Sequence, residues 1–529
     1  MMIRWAVFLL KCVLRIPLWS FQRRLKNPKE TQRSLLNRLH KDYVFTQRAR
    51  SFPWKTVDAF STVLPIVDYD DIESDIHRQK ETKEPVCTSQ PVLFYEKTAG
   101  SRGPNKLIPY TSRLKRSFSR MFTLWVGDLL WEAAPLKTGQ IYMSITEPQS
   151  ESVDGLSEND FGLEDDRDYL SKGWATLLSP FWITAPRASP SDDLHRSMLQ
   201  LAVTLIDAGR LEIISIWSPS FLLAQLTFMQ DHWSEILDSP STHRSPWARR
   251  HISKRRETLR AQFSSGDKLT FEHIWPHLKI ISCWDSAHSS EGADAIRALF
   301  PNVLVQGKGL LATEAPMTIP FQKLYANGLG MVPLIDEVYF EFEEEDGAIR
   351  LIHELEEDKR YGVIISQQSG LLRYRMGDDV RVNGWAEKTP LLEFLGKGQA
   401  WSDLVGEKLS ETFVEETLEE LGFSAGYRAL VPQQGQLPYY LLLVDECASD
   451  LTRVVTDLDA AFRRSHHYDV ARRLSQLGPP QVFAHPRAYD ILVATWVKSG
   501  RKWGDMKPSI LYPSLLTENI LEDYHDALP

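Results

Sequence analysis

Residues 370–411 read GLLRYRMGDDVRVNGWAEKTPLLEFLGKGQAWSDLVGEKLSE, and this stretch decides the fold. One segment holds an acidic residue, Asp378, a basic residue, Lys408, and a crossing point flanked by Gly396 and Gly398. Those are the parts that a nucleotide site beside a domain hinge needs. A carboxylate accepts two hydrogen bonds, so Asp378 suits the paired ribose hydroxyls of a nucleotide. The plainer alternative is structural: the Gly370–Gly384 run reads as a hairpin with Arg373, Arg375 and Asp378 near its turn. GEKLSE likewise reads as the start of a helix, with Ser410 as a cap.

Two upstream segments point the same way. Thr98-Ala99-Gly100-Ser101-Arg102-Gly103-Pro104-Asn105-Lys106 follows a strand-like run, Val92–Tyr95, and precedes another, Leu107–Tyr110. Phosphates need backbone N–H donors that approach closely, and glycines permit that approach. Thr98 and Ser101 add hydroxyl donors, and Lys106 adds a point charge. Alone, such a turn is an ordinary surface loop, and without GK[ST] it is not a Walker P-loop. The second segment, Gly309-Leu310-Leu311-Ala312-Thr313-Glu314, follows a predicted buried strand at Val303–Val305. A lone TE pair reads as a loop or the start of a helix; in this company its carboxylate is a hard oxygen ligand suited to Mg²⁺ shared with phosphates.

The order Gly-rich loop, TE, YRxGD, GEK resembles the acyl acid–amido synthetases first named as auxin-responsive (Gretchen Hagen) proteins, within the adenylate-forming superfamily. The resemblance runs from about Phe45 to near the end of the chain. It implies ATP bound by Thr98, Gly100, Ser101, Gly103, Lys106, Thr313, Glu314, Asp378 and Lys408, with Mg²⁺ on Glu314. The spacing from Asp378 to Lys408 is that of the family's plant members. Lys507, in Gly504-Asp505-Met506-Lys507-Pro508, matches the superfamily lysine that serves adenylation by offsetting charge on the carboxylate and α-phosphate oxygens. By the same resemblance Gly396, Lys397 and Gly398 form the hinge. The sequence departs from the family at Ala99 (usually Ser), Arg102 (usually Ser or Thr), Ala315 (usually Gly) and Lys397 (usually Arg). The implied fold is α/β: a large N-terminal adenylate-forming body of mixed sheets and helices, residues 1–396, and a small mobile α+β domain, 397–529. The implied reaction joins a small carboxylic acid to an amine or amino acid at the expense of ATP. Two rivals stand beside it: an acyl-adenylating ligase that makes a coenzyme A thioester, and a catalytically weak homologue acting as a scaffold.

Composition narrows the field. The chain has 529 residues, 43% of them hydrophobic, and a net charge of -9, which suits a globular protein of roughly two to four domains. The mild acidity gives no case for nucleic-acid binding; the basic run Arg249–Arg260 reads as a solvated helix face. Cys12, Cys87, Cys283 and Cys447 lie far apart with no CxxC pair, against a zinc site or a disulfide framework. A reducing, cytoplasmic setting and a monomer are the plain expectations. No GxSxG elbow accompanies His288, and no histidine is assigned a role.

Periodicity places the remaining elements. Leu114, Phe118, Met121, Phe122, Trp125 and Leu129 predict a helix from about Thr111, with Thr111 or Ser112 as its cap. Further strands are expected at Val338–Phe342, Tyr361–Ile365, Tyr427–Val431, Tyr439–Val444 and Ile491–Val497, and helices at Glu411–Leu421 and from Leu451. Loops are expected at Ser150–Asp168 and Asp238–Pro246. Trp217, Trp284 and Tyr142 are candidates to line an acyl pocket, or else core. Trp5–Trp19 is apolar apart from Lys11 and Arg15, too short and too charged to span a bilayer. It predicts an amphipathic helix packed on the body, with peripheral membrane contact as the alternative.

Overall fold

The computed structural model describes residues 2–97, 106–132, 136–143, 181–183, 194–241, 246–264, 267–286, 289–344, 346–397, 401–402, 404–405, 407, 409–423, 426–433, 437–446, 451–498 and 509–512. The chain divides into two compact units, Met1–Thr98 with Leu107–Gly396, and Ala99–Lys106 with Lys397–Pro529.

The first unit is α/β and carries two five-stranded sheets. One is parallel, in the order Trp182–Ile183, Gln140–Met143, Leu211–Ser215, Ile280–Cys283, Leu304–Gly307. Its central strands are buried throughout, as a sheet covered on both faces requires. Side chains alternate across it. Ile141, Ile213 and Ile280 turn to the core shared with the helix Ser112–Glu132, whereas Tyr142, Ile214 and Ile281 turn to the core made with the helices Leu194–Asp207, Pro219–Asp231 and Ser290–Leu299. Glu212, fully buried, anchors the loop that leads into this sheet: it accepts from the amides of Lys137 (2.7 Å), Thr138 (2.8 Å) and Gly139 (2.6 Å).

The second sheet is antiparallel, in the order Ile349–Leu351, Tyr339–Glu343, Arg360–Ser366, Tyr374–Ala386, Thr389–Lys397. Its apolar face, with Phe340, Phe342, Val363, Ile365, Val380 and Val382, joins the same core as the helix Ser112–Glu132. Thr111 caps that helix as expected: its Oγ1 accepts from the Leu114 amide at 3.2 Å.

Asp128, inside this helix, is nearly inaccessible and accepts from the Gln322 amide at 2.6 Å. Burial is the main cause that raises its carboxyl to about 6. A raised folded-state value favours the protonated form, so this group's stabilising contribution is complete below the unfolded value near 4 and is lost as pH rises through 6. Asp128→Asn keeps an oxygen acceptor and removes the buried charge. It is expected to stabilise the protein by roughly 1–2 kcal/mol at pH 8 and by little near pH 4, read from urea denaturation at the two pH values.

The second unit is α+β. Arg428–Gln433 pairs antiparallel with Tyr439–Val444, which pairs parallel with Gln481–Ala484. Leu430, Tyr440, Leu442 and Val444 face one core, with the helices Glu411–Glu420, Leu451–Phe462 and His466–Arg473, while Ala429, Val431, Leu441 and Leu443 face another, with Ala488–Lys498. Here one expectation fails: Ile491–Val497 is helical, within Ala488–Lys498. A short apolar run does not distinguish a buried strand from a buried helix. The Ile491 amide donates to the Arg487 carbonyl (3.1 Å) and Thr495 to the Ile491 carbonyl (2.9 Å), and Gln481–Ala484 takes the sheet position instead.

Candidate active site

The Gly-rich segment joins the two strands of a hairpin, Val92–Lys97 and Leu107–Thr111. Thr98, Gly100, Ser101 and Gly103 lie outside the described residues, as do Gly398, Lys408 and Lys507. Lys106, half-buried, immediately precedes the hairpin's second strand, all five residues of which are buried. That strand ties the motifs of the first unit together. Tyr110 donates from its hydroxyl to the Thr313 carbonyl (2.7 Å), and Thr111 from Oγ1 to the Gln368 carbonyl (3.3 Å). The Leu107 amide donates to the Tyr69 hydroxyl at 2.7 Å.

Thr313 and Glu314 are the two tip residues of a hairpin in which Ala312 pairs with Ala315. Both tip residues are half-buried, whereas Ala315 is fully buried. Ala315 is not among the residues at positive φ, so the alanine fits where the resembled family has glycine.

The YRMGD motif is not at a hairpin turn, as the sequence suggests, but inside the long strand Tyr374–Ala386. Gly362 faces Asp379 and Ile364 faces Arg375, so Val363 alone opposes Met376, Gly377 and Asp378. This is a β-bulge, a device that re-aims a side chain. Gly377 has φ +70°, a conformation that glycine adopts without steric cost. Arg375 pairs with Glu343 (3.0 Å) and Asp68 (3.1 Å). Asp378 is buried, at 6% exposure.

Tyr374 links the motifs. Its buried phenol is pushed well above the ordinary tyrosine range, first by burial, then by the carboxylates of Glu314 and Asp68, then by Tyr69 and Asp378. Glu314 and Asp378, sixty-four positions apart in sequence, therefore act on one hydroxyl. Backbone contacts fix it: the Val67 amide donates to the Arg373 carbonyl (3.0 Å), and the Arg375 amide to the Val67 carbonyl (2.9 Å).

Two anchoring residues escape sequence reading. Glu407, beside Lys408, is fully buried and accepts from the amides of Leu404 (2.7 Å) and Val405 (2.8 Å) and from the Tyr440 hydroxyl. Lys308 follows the parallel strand Leu304–Gly307; its Nζ donates to Ser215 Oγ at 2.7 Å and stands 5.0 Å from the Trp217 ring centroid and 5.8 Å from that of Trp125. The rule that open α/β sheets bind ligands at the carboxyl ends of their strands would have pointed to it. Trp217 and Trp284 are half-buried beside it, their centroids 5.9 Å apart. Tyr142 is core. Trp125 also lines an apolar cavity of about 80 Å³ together with Leu10, Leu14, Leu129, Met143 and Ile213.

Glu314 offers the hard oxygen that Mg²⁺ takes. A separate group that could hold a metal, His195, His232 and Glu235, lies on the helical layer outside these motifs. A cleft of about 640 Å³, lined by Asp285, Arg297, Tyr325 and Glu393, contains none of the predicted site residues.

The class follows from the fold. The chain superposes on the GH3.15 acyl acid amido synthetase with a TM-score of 0.72 at 19% identity, covering 96% of this chain and 95% of that one. It superposes on 2-hydroxyisobutyryl-CoA ligase in the postadenylation state with a TM-score of 0.52 at 11% identity, covering 94% and 92%. The chain shares the fold of these enzymes. Residues 18–305 match the GH3 family N-terminal domain and residues 331–397 the GH3 family central domain, and the chain belongs to the GH3 family. Indole-3-acetic acid-amido synthetase GH3.4 of Arabidopsis thaliana is 22% identical over 441 residues, 74% of this chain and 71% of that protein.

Proposed function

We propose that this chain is an ATP-dependent acyl acid–amido synthetase. A carboxylate attacks the α-phosphorus of ATP, giving an acyl-adenylate and pyrophosphate. An amine, such as that of an amino acid, then attacks the activated carbonyl, giving an amide and AMP. The observation that carries the reading is the fold, shared with an acyl acid amido synthetase over 96% of the chain, in a chain that matches the GH3 family N-terminal and central domains. Membership of the GH3 family, with an indole-3-acetic acid-amido synthetase among its relatives, favours the amide over the thioester.

In this reading Asp378 accepts from the ribose hydroxyls, and the Thr313 hydroxyl donates to the α-phosphate. Thr98, Gly100, Ser101, Gly103, Lys106 and Lys408 hold the phosphates. Mg²⁺, held with Glu314, supplies neutralisation of phosphate charge. Lys507 offsets charge in the adenylation step, and Gly396, Lys397 and Gly398 form the pivot of a mobile C-terminal domain. Gly396 has φ +135°, a backbone state that suits a glycine at such a pivot. Positioning and electrostatics carry the chemistry, with no covalent enzyme intermediate.

The acid is read from Lys308. An ammonium 5.0 Å from the Trp217 ring centroid and 5.8 Å from that of Trp125 fits an uncharged, apolar chain ending in a carboxylate. Lys308→Met is expected to raise KM for the acid about 10–100-fold, the worth of a charge-assisted hydrogen bond, while leaving KM for ATP within about threefold; equal shifts in both would refute the assignment. The whole reading is tested by acid-dependent exchange of labelled pyrophosphate into ATP across a panel of carboxylic acids, followed by addition of amines. Exchange and then amide formation is the expected result. No exchange with any acid, with no ATP binding by calorimetry, would promote the scaffold reading, and a thioester formed only with coenzyme A would promote the ligase.

A further inference from the structure

The helix Met2–Arg24 has two apolar faces, one buried and one exposed. Leu10, Leu14, Leu18 and Phe21 are buried. They pack on the helix Ser112–Glu132, with Leu14 and Leu18 facing Gly127. Trp131 of that helix donates to the Lys11 carbonyl at 3.0 Å. The opposite face carries Leu9, Val13, Ile16 and Trp19, each at least 52% exposed and Ile16 72% exposed. At about 100° per residue these side chains span roughly 120° of the helix circumference. Scattered exposed apolar residues are ordinary; a continuous stripe of four large ones marks a surface that something covers.

Charge selects the occupant. The chain as a whole is acidic, at -9. Yet every charged residue before Glu30 is basic, from Arg4 and Lys11 to Lys26 and Lys29. Lys11 and Arg15 lie along one edge of the stripe, over the Trp131 ring (4.2 and 4.4 Å), and Arg23 lies over Trp19 (4.6 Å). A second copy docked symmetrically on this face would bring two basic rows together, which is repulsive. An anionic lipid surface meets both demands: acyl chains take the stripe and headgroups take the cations. Trp19 with Arg23 then sits at headgroup level, where amphipathic side chains concentrate. No described helix is long and apolar enough to cross a membrane, so the helix lies in the plane of the interface.

We propose that the outer face of Met2–Arg24 docks the protein on anionic membrane surfaces. This inference is independent of the reaction. The test is sedimentation of the full-length chain with vesicles of phosphatidylcholine containing about one third phosphatidylserine, against phosphatidylcholine alone. The wild type is expected to pellet with the anionic vesicles, less with the neutral ones, and less again in high salt. Ile16→Glu, at an exposed position outside the core and outside the proposed site, is expected to weaken binding at least about tenfold, with unchanged circular dichroism and unchanged pyrophosphate exchange. Wild type left in the supernatant, or Ile16→Glu binding as wild type does, overturns the proposal. So does a dimer in light scattering that Ile16→Glu dissociates, because a second copy would then cover the face.

Discussion

Glu314→Gln is expected to lower the rate of acid-dependent pyrophosphate exchange by at least about a hundredfold, the scale on which charge stabilisation at a phosphoryl centre is lost. Glu314 is at the tip of a two-residue hairpin turn, half-buried, and its neighbour Ala315 rather than Glu314 itself is packed in the core. The amide is isosteric and leaves the turn unchanged, so the loss should come without a change in the urea midpoint. It should also remove the Mg²⁺ dependence of ATP binding in calorimetry, a readout that a purely structural residue would not move. Asp378→Asn makes the contrast. A ribose-binding carboxylate replaced by a group with one acceptor oxygen loses binding in ground and transition states alike, so KM for ATP rises about tenfold with kcat largely kept. If both variants shifted KM and kcat in the same proportion, the separate roles given to the two carboxylates would be wrong.

The secondary structure around the described motifs of the first unit was legible because its parts are local. Strand, Gly-rich turn and second strand are consecutive in sequence, as are the strand Leu304–Gly307 and the TE turn that follows it. What escaped was long-range. Whether Asp378 stands at a turn or in a bulge depends on the register against Arg360–Ser366, a long-range pairing. Gly377 was the one available signal, because an isolated glycine within a strand pattern marks a bulge. Lys308 went unread because a lysine between two glycines reads as a loop; its meaning comes from Ser215, on a parallel strand two positions away in the sheet, and from Trp217 just after that strand. Ile491–Val497 failed for a different reason: an apolar run of that length fits a buried helix or a buried strand equally well, and the choice was made by which segment completed the sheet beside Tyr439–Val444.

Arg373 shows how the core and the site are joined, and its replacement carries the largest expected stability effect. Its guanidinium and the Glu341 carboxylate form a pair 2.9 Å apart, with side-chain exposures of 6% and 1%. Arg373 also donates to the carbonyls of Ser61 (2.9 Å) and Leu64 (2.7 Å). Burial raises the Glu341 carboxyl and Arg373 pulls it back down, while its second oxygen, Oε1, has no hydrogen-bond partner. Arg373→Met leaves that carboxylate uncompensated and two carbonyls without a donor. Removing one partner of a buried pair costs about 3–5 kcal/mol, whereas replacing both with apolar residues is often close to neutral. Full-length Arg373→Met should lose about that much in urea denaturation, and Arg373→Met with Glu341→Leu should recover roughly half, the remainder being the orphaned carbonyls. A single-variant loss below about 1 kcal/mol would mean that the pair is solvated or relaxes freely. The consequence reaches the site through the backbone. Arg373 holds φ +51° immediately before Tyr374, and its carbonyl receives the Val67 amide. An arginine that fixes the Ser61–Leu64 turn thereby fixes the strand start from which the bulge presents Asp378, so exchange activity should fall with stability in the single variant and return with it in the double.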